Sequence, residues 1–443
     1  MIDSKKLNST EQIFEVLNRV ACSSNVVLIS RIKGPLTEEI LRQALLLVQS
    51  RHSRLNYRIV GFLDSLHFET EGLAKIPFRV VDKPHSDQWQ EVVLEELNEK
   101  IDSSKSLIRA VFFRPENDRS ISYLITTLHH GITDVSSNIR LHQDLLTYCQ
   151  KIASGEPIDN ISSLPILPSL EELLPETIKG FRGKMKGLLF LLQSGLKQLW
   201  YRPKTLGFET CLPFELRRTG LVHRELNEEF TQKLVNSCRN EKATIQGALC
   251  AAMMLTAARK IRAGKIKDIS VSCCSTVDVR KLLEPVVRKE QMAMLSSFLA
   301  SYHTIKTDTS FWELARDVKQ QLESGLLRGT PLSQLLMASR KMIDNFLSNP
   351  NLSAWTVTIG NARADIPRVY GSFELEEINL AMASAAYGGV FYAGIVNFAG
   401  KIFLNFFFSD PSISRETMEN LANSVVSYLV DACQKEIVPG LSL

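Results

Sequence analysis

Two adjacent histidines, His129 and His130, close a β-branched run, and Asp134 follows four residues after the second. An unperturbed imidazole titrates at about 6.5, so it can both take and return a proton at neutral pH. His130 is therefore the candidate general base, drawing a proton from an alcohol or amine as that group attacks an acyl carbon. His129 and Asp134 complete the candidate catalytic set. Two roles are open to Asp134: touching the imidazole and fixing its tautomer, or turning away to pair with an arginine that holds the turn rigid. The absence of a G-x-S-x-G motif disfavours a covalent serine mechanism. Against all of this stands the plainer expectation that such histidines are satisfied structural residues.

The elements around these residues follow from periodicity. Ile121, Tyr123, Ile125 and Thr127 alternate with Ser122, Leu124, Thr126 and Leu128, a mostly apolar set of strong β-formers, which predicts a buried strand ending at the histidines. Val135, Ile139, Leu141, Leu145 and Leu146 then recur at helical spacing, with Ser136 and Ser137 available as caps. Gly131 lets the chain turn between strand and helix. Such a junction can hold an imidazole at the mouth of an interior channel.

The segment HHGITD resembles the H-H-x-x-x-D signature of the chloramphenicol acetyltransferase-like superfamily, which includes peptide synthetase condensation domains, plant BAHD acyltransferases, alcohol acetyltransferases and mycobacterial polyketide-associated acyltransferases. Its position about a third of the way along the chain agrees. The resemblance implies an α/β fold of two pseudo-symmetric halves, each a mixed sheet flanked by helices, with a tunnel between them and His130 at its middle. It also implies direct acyl transfer with no metal and no cofactor beyond an acyl-CoA or acyl carrier protein as co-substrate.

Further stretches carry the same likeness. DISVSCCSTVDVR at 268–280 ends in an arginine that pairs with the motif aspartate in several relatives, so Arg280 is the expected partner of Asp134. Arg51, in the stretch SRHSRLNYRIV, is the alternative. MLSSFLASYHTIK at 294–306 resembles the strand that crosses between the halves, with His303 on a strand face and outside the chemistry. AWTVTIGNA at 354–362 stands where relatives carry S-N-x-G beside the tunnel. Gly360 is kept, and Thr358 is the candidate oxyanion donor. Two departures matter. Val135 replaces a glycine that often follows the aspartate, and the plant D-F-G-W-G segment is missing, which points away from the plant branch and toward bacterial alcohol acyltransferases or condensation proteins.

The 443 residues, 44% hydrophobic, can bury a large core, and a net charge of +4 is too balanced to argue for a nucleic-acid partner. Eight cysteines without C-x-x-C spacing suggest neither zinc nor a disulfide framework, and Cys273 and Cys274 point to opposite faces of one strand-like run. With no apolar leader at the N-terminus and no stretch of membrane-spanning length, a cytoplasmic monomer is expected. Three regions are read: an N-terminal acyltransferase half at 1–152, a linker at 153–207 and a C-terminal half at 208–443. Within the linker, 177–205 is both apolar and basic, with no acid. It is either an amphipathic element touching an anionic membrane or lipid-like substrate, or a helix packed on the seam between halves.

The expected function is transfer of an acyl group from a CoA or carrier-protein thioester to a hydroxyl. One alternative is a free-standing condensation protein that forms an amide. Another is a non-catalytic relative that only binds acyl chains or carriers.

Overall fold

The strand carrying the histidines, Ile121–His129, is buried at all nine positions, as its β-branched, two-sided apolar sequence requires. It is a central strand of a six-stranded sheet ordered Val369–Tyr370, Phe373–Met382, Asn25–Lys33, Ile121–His129, Ile108–Pro115 and Phe78–Lys83. All neighbours are antiparallel except the last two, which run parallel. Helices Glu38–Arg51 and Val135–Ser154 pack together in the layer that Leu41, Leu45, Leu141 and Leu145 bury, while helix Trp89–Asn98 makes a separate cluster with Val27, Ile125 and Leu221. The computed structural model describes residues 5–63, 65–70, 75–159 and 161–434.

The second six-stranded sheet is ordered Ser296–Ile305, Ile269–Asp278, Val357–Arg363, Phe391–Phe398, Lys401–Asp410 and Arg218–Leu226. Val357–Arg363 runs parallel to both neighbours, so this sheet is mixed as well. Helix Ile245–Arg262, almost wholly apolar, lies buried against the sheet and is flanked by the helices Phe311–Leu327 and Arg415–Gln434. Ala399 and Gly400, both at positive φ, turn the hairpin between the two strands that flank them.

Several features couple the lobes, two of them at the sheets. Asn98 donates through Nδ2 to the Thr219 carbonyl at 2.9 Å and accepts from the Thr219 N–H at 2.7 Å, sealing the first lobe to the edge strand of the second. The chain also returns late. Strand Phe373–Met382, from the C-terminal part of the sequence, adds to Asn25–Lys33 of the first sheet. The crossing strand is thus not 294–306: residues Ser296–Ile305 instead form the outer edge of the second sheet, paired with Ile269–Asp278. Two short helices, Thr330–Met337 and Arg340–Ser348, follow one another after helix Phe311–Leu327.

Candidate active site

His130 sits immediately beyond its strand, where its N–H donates to the Ser24 carbonyl at 2.9 Å. Its ring Nδ1 lies 2.9 Å from the Thr133 carbonyl oxygen. A carbonyl only accepts, so Nδ1 carries the hydrogen and Nε2 keeps a lone pair. Phe14 stacks on the imidazole with ring centroids 4.0 Å apart. Burial pushes the His130 pKa down, with the Thr133 carbonyl and the charge of Asp134 acting only in partial opposition. The ring is therefore neutral at pH 7, the form a general base needs.

The imidazole lines a cavity of about 360 Å³ between the lobes. Phe14, Ser24 and Met382 form part of the wall on one side; Cys274, Thr276, Trp355 and Thr358 belong to the other. The wall is mainly apolar. Ser24 Oγ and Asn25 Oδ1, both buried in it, have no hydrogen-bond partner within the protein. Thr358 is in the wall; Gly360, two residues on, instead gives room to the Thr276 side chain, whose Oγ1 would lie 3.3 Å from an added Cβ.

Asp134 takes the second of its two expected roles. Oδ2 receives Arg280 Nη1 at 2.6 Å and the Leu295 N–H at 3.0 Å, while Oδ1 receives the Ser137 N–H at 2.9 Å and its hydroxyl at 3.0 Å. All its acceptor directions are spent, so none orients the imidazole. Asp134 also caps the following helix, a place Ser136 and Ser137 were expected to fill. Burial alone would raise its pKa, but the Arg280 charge and hydrogen bonds hold its carboxyl below the usual range. Arg280, itself 2% exposed, also donates to Ser137 Oγ at 2.8 Å. Arg51 pairs with Asp144 at 2.9 Å and takes no part in this cluster.

His129 is turned away from the cavity. It is fully buried, its Nδ1 accepts the Gly131 N–H at 3.0 Å, and its Nε2 stands 3.0 Å from Glu15 Oε2. A Cβ on residue 131 would come within 2.9 Å of that Nδ1, so glycine here serves close approach. Glu15 also accepts from Ser103 at 2.7 Å and Arg19 at 2.6 Å. Burial raises its pKa, yet His129 and these donors more than offset it. Helix Ser9–Ala21 thus supplies both the ring that covers His130 and the carboxylate that fixes His129. Phe14, Glu15 and Ser24 were not singled out from the sequence; no motif marks them.

Residues 217–385 match the family model described as phthiocerol/phthiodiolone dimycocerosyl transferase C-terminus. The whole architecture superimposes on polyketide synthase associated protein 5 from Mycobacterium tuberculosis, at TM-score 0.68 and 16% identity over 97% of this chain and 98% of that one. The chain has the chloramphenicol acetyltransferase-like fold. This two-lobed acyltransferase and condensation fold is shared with trichothecene 15-O-acetyltransferase from Fusarium sporotrichioides, TM-score 0.74 and 13% identity over 97% and 96% of the two chains. It is shared too with the first condensation domain of the CDA synthetase, TM-score 0.70 and 13% identity over 97% and 96%. No curated protein matches by sequence.

Proposed function

We propose that the protein is an acyltransferase that moves an acyl group from a CoA or carrier-protein thioester to a hydroxyl, with His130 as general base. The observation that carries this reading is the His130 imidazole at the cavity wall, with its Nδ1 held by the Thr133 carbonyl and its Nε2 left for an acceptor. Nε2 takes the hydroxyl proton as the oxygen attacks the thioester carbonyl carbon. The tetrahedral intermediate places its oxyanion in the cavity, where Thr358 supplies a hydroxyl. Collapse breaks the C–S bond, and the imidazolium returns its proton to the leaving thiolate, giving ester and free thiol with no enzyme-bound acyl group.

His130→Ala tests this. With a panel of acyl-CoA thioesters and a long-chain alcohol, thiol release should fall about 10²- to 10⁴-fold, as for other general bases, while circular dichroism and Tm stay those of the parent. Turnover within a few-fold of the parent would remove His130 from the chemistry.

A further inference from the structure

Helix Gly180–Tyr201 is mounted with its apolar side outward. The side against the protein carries small and mixed residues: Gly183 and Gly187 are buried, and Phe190 and Ser194 are half-buried. A Cβ on Gly187 would come within 2.7 Å of Met337, so the glycine brings this helix close to Thr330–Met337. On the helical repeat, Phe181, Met185, Leu188, Leu192, Leu196 and Leu199 fall on the opposite face. There they are open to solvent, Phe181 at 78% and Leu199 at 69%, with Trp200 beside them at 85%. A stripe this long and this exposed has no structural purpose in an isolated chain. Residues 180–201 include Arg182, Lys184, Lys186 and Lys197 and no acid, and Arg182, Lys184 and Lys186 are exposed beside the stripe.

The helix also roofs a second cavity of about 510 Å³, into which Phe190, Ser194, Lys197 and Tyr201 project from above. Phe298, Gln334, Met342 and Trp355 line both this space and the His130 cavity. Phe298 meets Trp355 edge-on at this shared wall, with ring centroids 5.7 Å apart. Among the described residues no helix is long and apolar enough to cross a membrane. An outward apolar stripe flanked by cations fits the surface of an anionic bilayer, with the leucines at the acyl boundary and the lysines among the headgroups.

We propose that helix Gly180–Tyr201 docks the protein on an anionic lipid bilayer, and that the acceptor of the proposed transfer is a bilayer-resident lipophilic alcohol reaching His130 through the adjoining cavity. The second clause rests on the acyltransferase reading; the first does not.

Co-sedimentation of the full chain with vesicles of phosphatidylglycerol and phosphatidylcholine, and with phosphatidylcholine alone, tests the docking. Binding is expected to the anionic vesicles, to weaken in high salt, and to shift Trp200 fluorescence to the blue. Lys184→Gln/Lys186→Gln should weaken it about 25-fold, at about fivefold per lysine near an anionic surface. Leu192→Ser/Leu196→Ser/Leu199→Ser should abolish it while Tm and turnover on a short soluble alcohol stay unchanged. The same triple variant should lose turnover on a long-chain alcohol embedded in anionic vesicles. His130→Ala should bind vesicles like the parent, which separates docking from chemistry. Equal binding by parent and Leu→Ser variant, binding to neither vesicle, or a self-association that the Leu→Ser variant disrupts without any vesicle binding would each overturn the docking. Equal loss of soluble and embedded substrate turnover in the variant would overturn the bilayer as substrate source.

Discussion

Three buried histidines show how residue type alone leaves function open. His129 is tied to Glu15, His142 sits between the hydroxyls of Ser30 and Thr126 at 2.7 Å each, and only His130 opens on a cavity. Burial pushes the His142 pKa down to about 3, so it is neutral and structural. The motif H-H-x-x-x-D, with His130 as its candidate base, was readable in the sequence, but what divides the two histidines was not. That division depends on Glu15 and Phe14, more than a hundred residues upstream, which touch neighbouring rings from one helix. For His130 the lowered pKa has a kinetic consequence. The base form is the active one, and a folded pKa below the ordinary value keeps it deprotonated further into acid. The acid limb of kcat/KM should therefore fall below pH 6.5. A pH profile of kcat/KM with a limb at or above 6.5 would mean the catalytic imidazole is more solvated than this site allows, or is a different residue.

At the scale of elements, the turn after the motif strand is held by a cluster assembled from three distant segments. Asp134 both starts its helix and binds Arg280 and the Leu295 N–H, so the turn carrying His130 is fastened to the second lobe. The pairing of an aspartate with an arginine 146 residues away leaves no periodic trace in the sequence; only family resemblance pointed to Arg280. The cap was visible in principle, since aspartate caps as well as serine does. Asp134→Asn isolates the charge, because asparagine can still accept from the Ser137 N–H. Leaving Arg280 buried with only Asp278 as anionic partner, 3.3 Å away, should cost about 3 to 5 kcal/mol. Chemical denaturation should show a loss of that order, with a lower Tm and kcat reduced far less than in His130→Ala. An unchanged Tm together with an unchanged rate would count against the clamp.

At the scale of the whole molecule, the lobes are interleaved in a way the sequence concealed. Strand Phe373–Met382 completes the first sheet, yet its sequence, FELEEINLAM, holds three glutamates and breaks the two-residue alternation. The reason is a bulge: Leu375 pairs with Ile32 and Glu377 with Arg31, so Glu376 is an extra residue. The bulge lets Leu375 and Ile378 both enter the core of the first lobe, and Arg31 bonds to Glu376 beside them. Local chemistry alone specifies the hairpin at Ala399–Gly400 and the apolar helix Ile245–Arg262; this strand is specified by its partner. Separating the chain at 207/208 would strip Asn25–Lys33 of its neighbour and leave a long, buried-type strand as an open edge, a template for aggregation. Residues 1–207 expressed alone should therefore be insoluble, and co-expression with 208–443 should return them to the soluble fraction as a complex. A monomeric, cooperatively unfolding 1–207 fragment would show that the late strand closes the first sheet without being required for its folding.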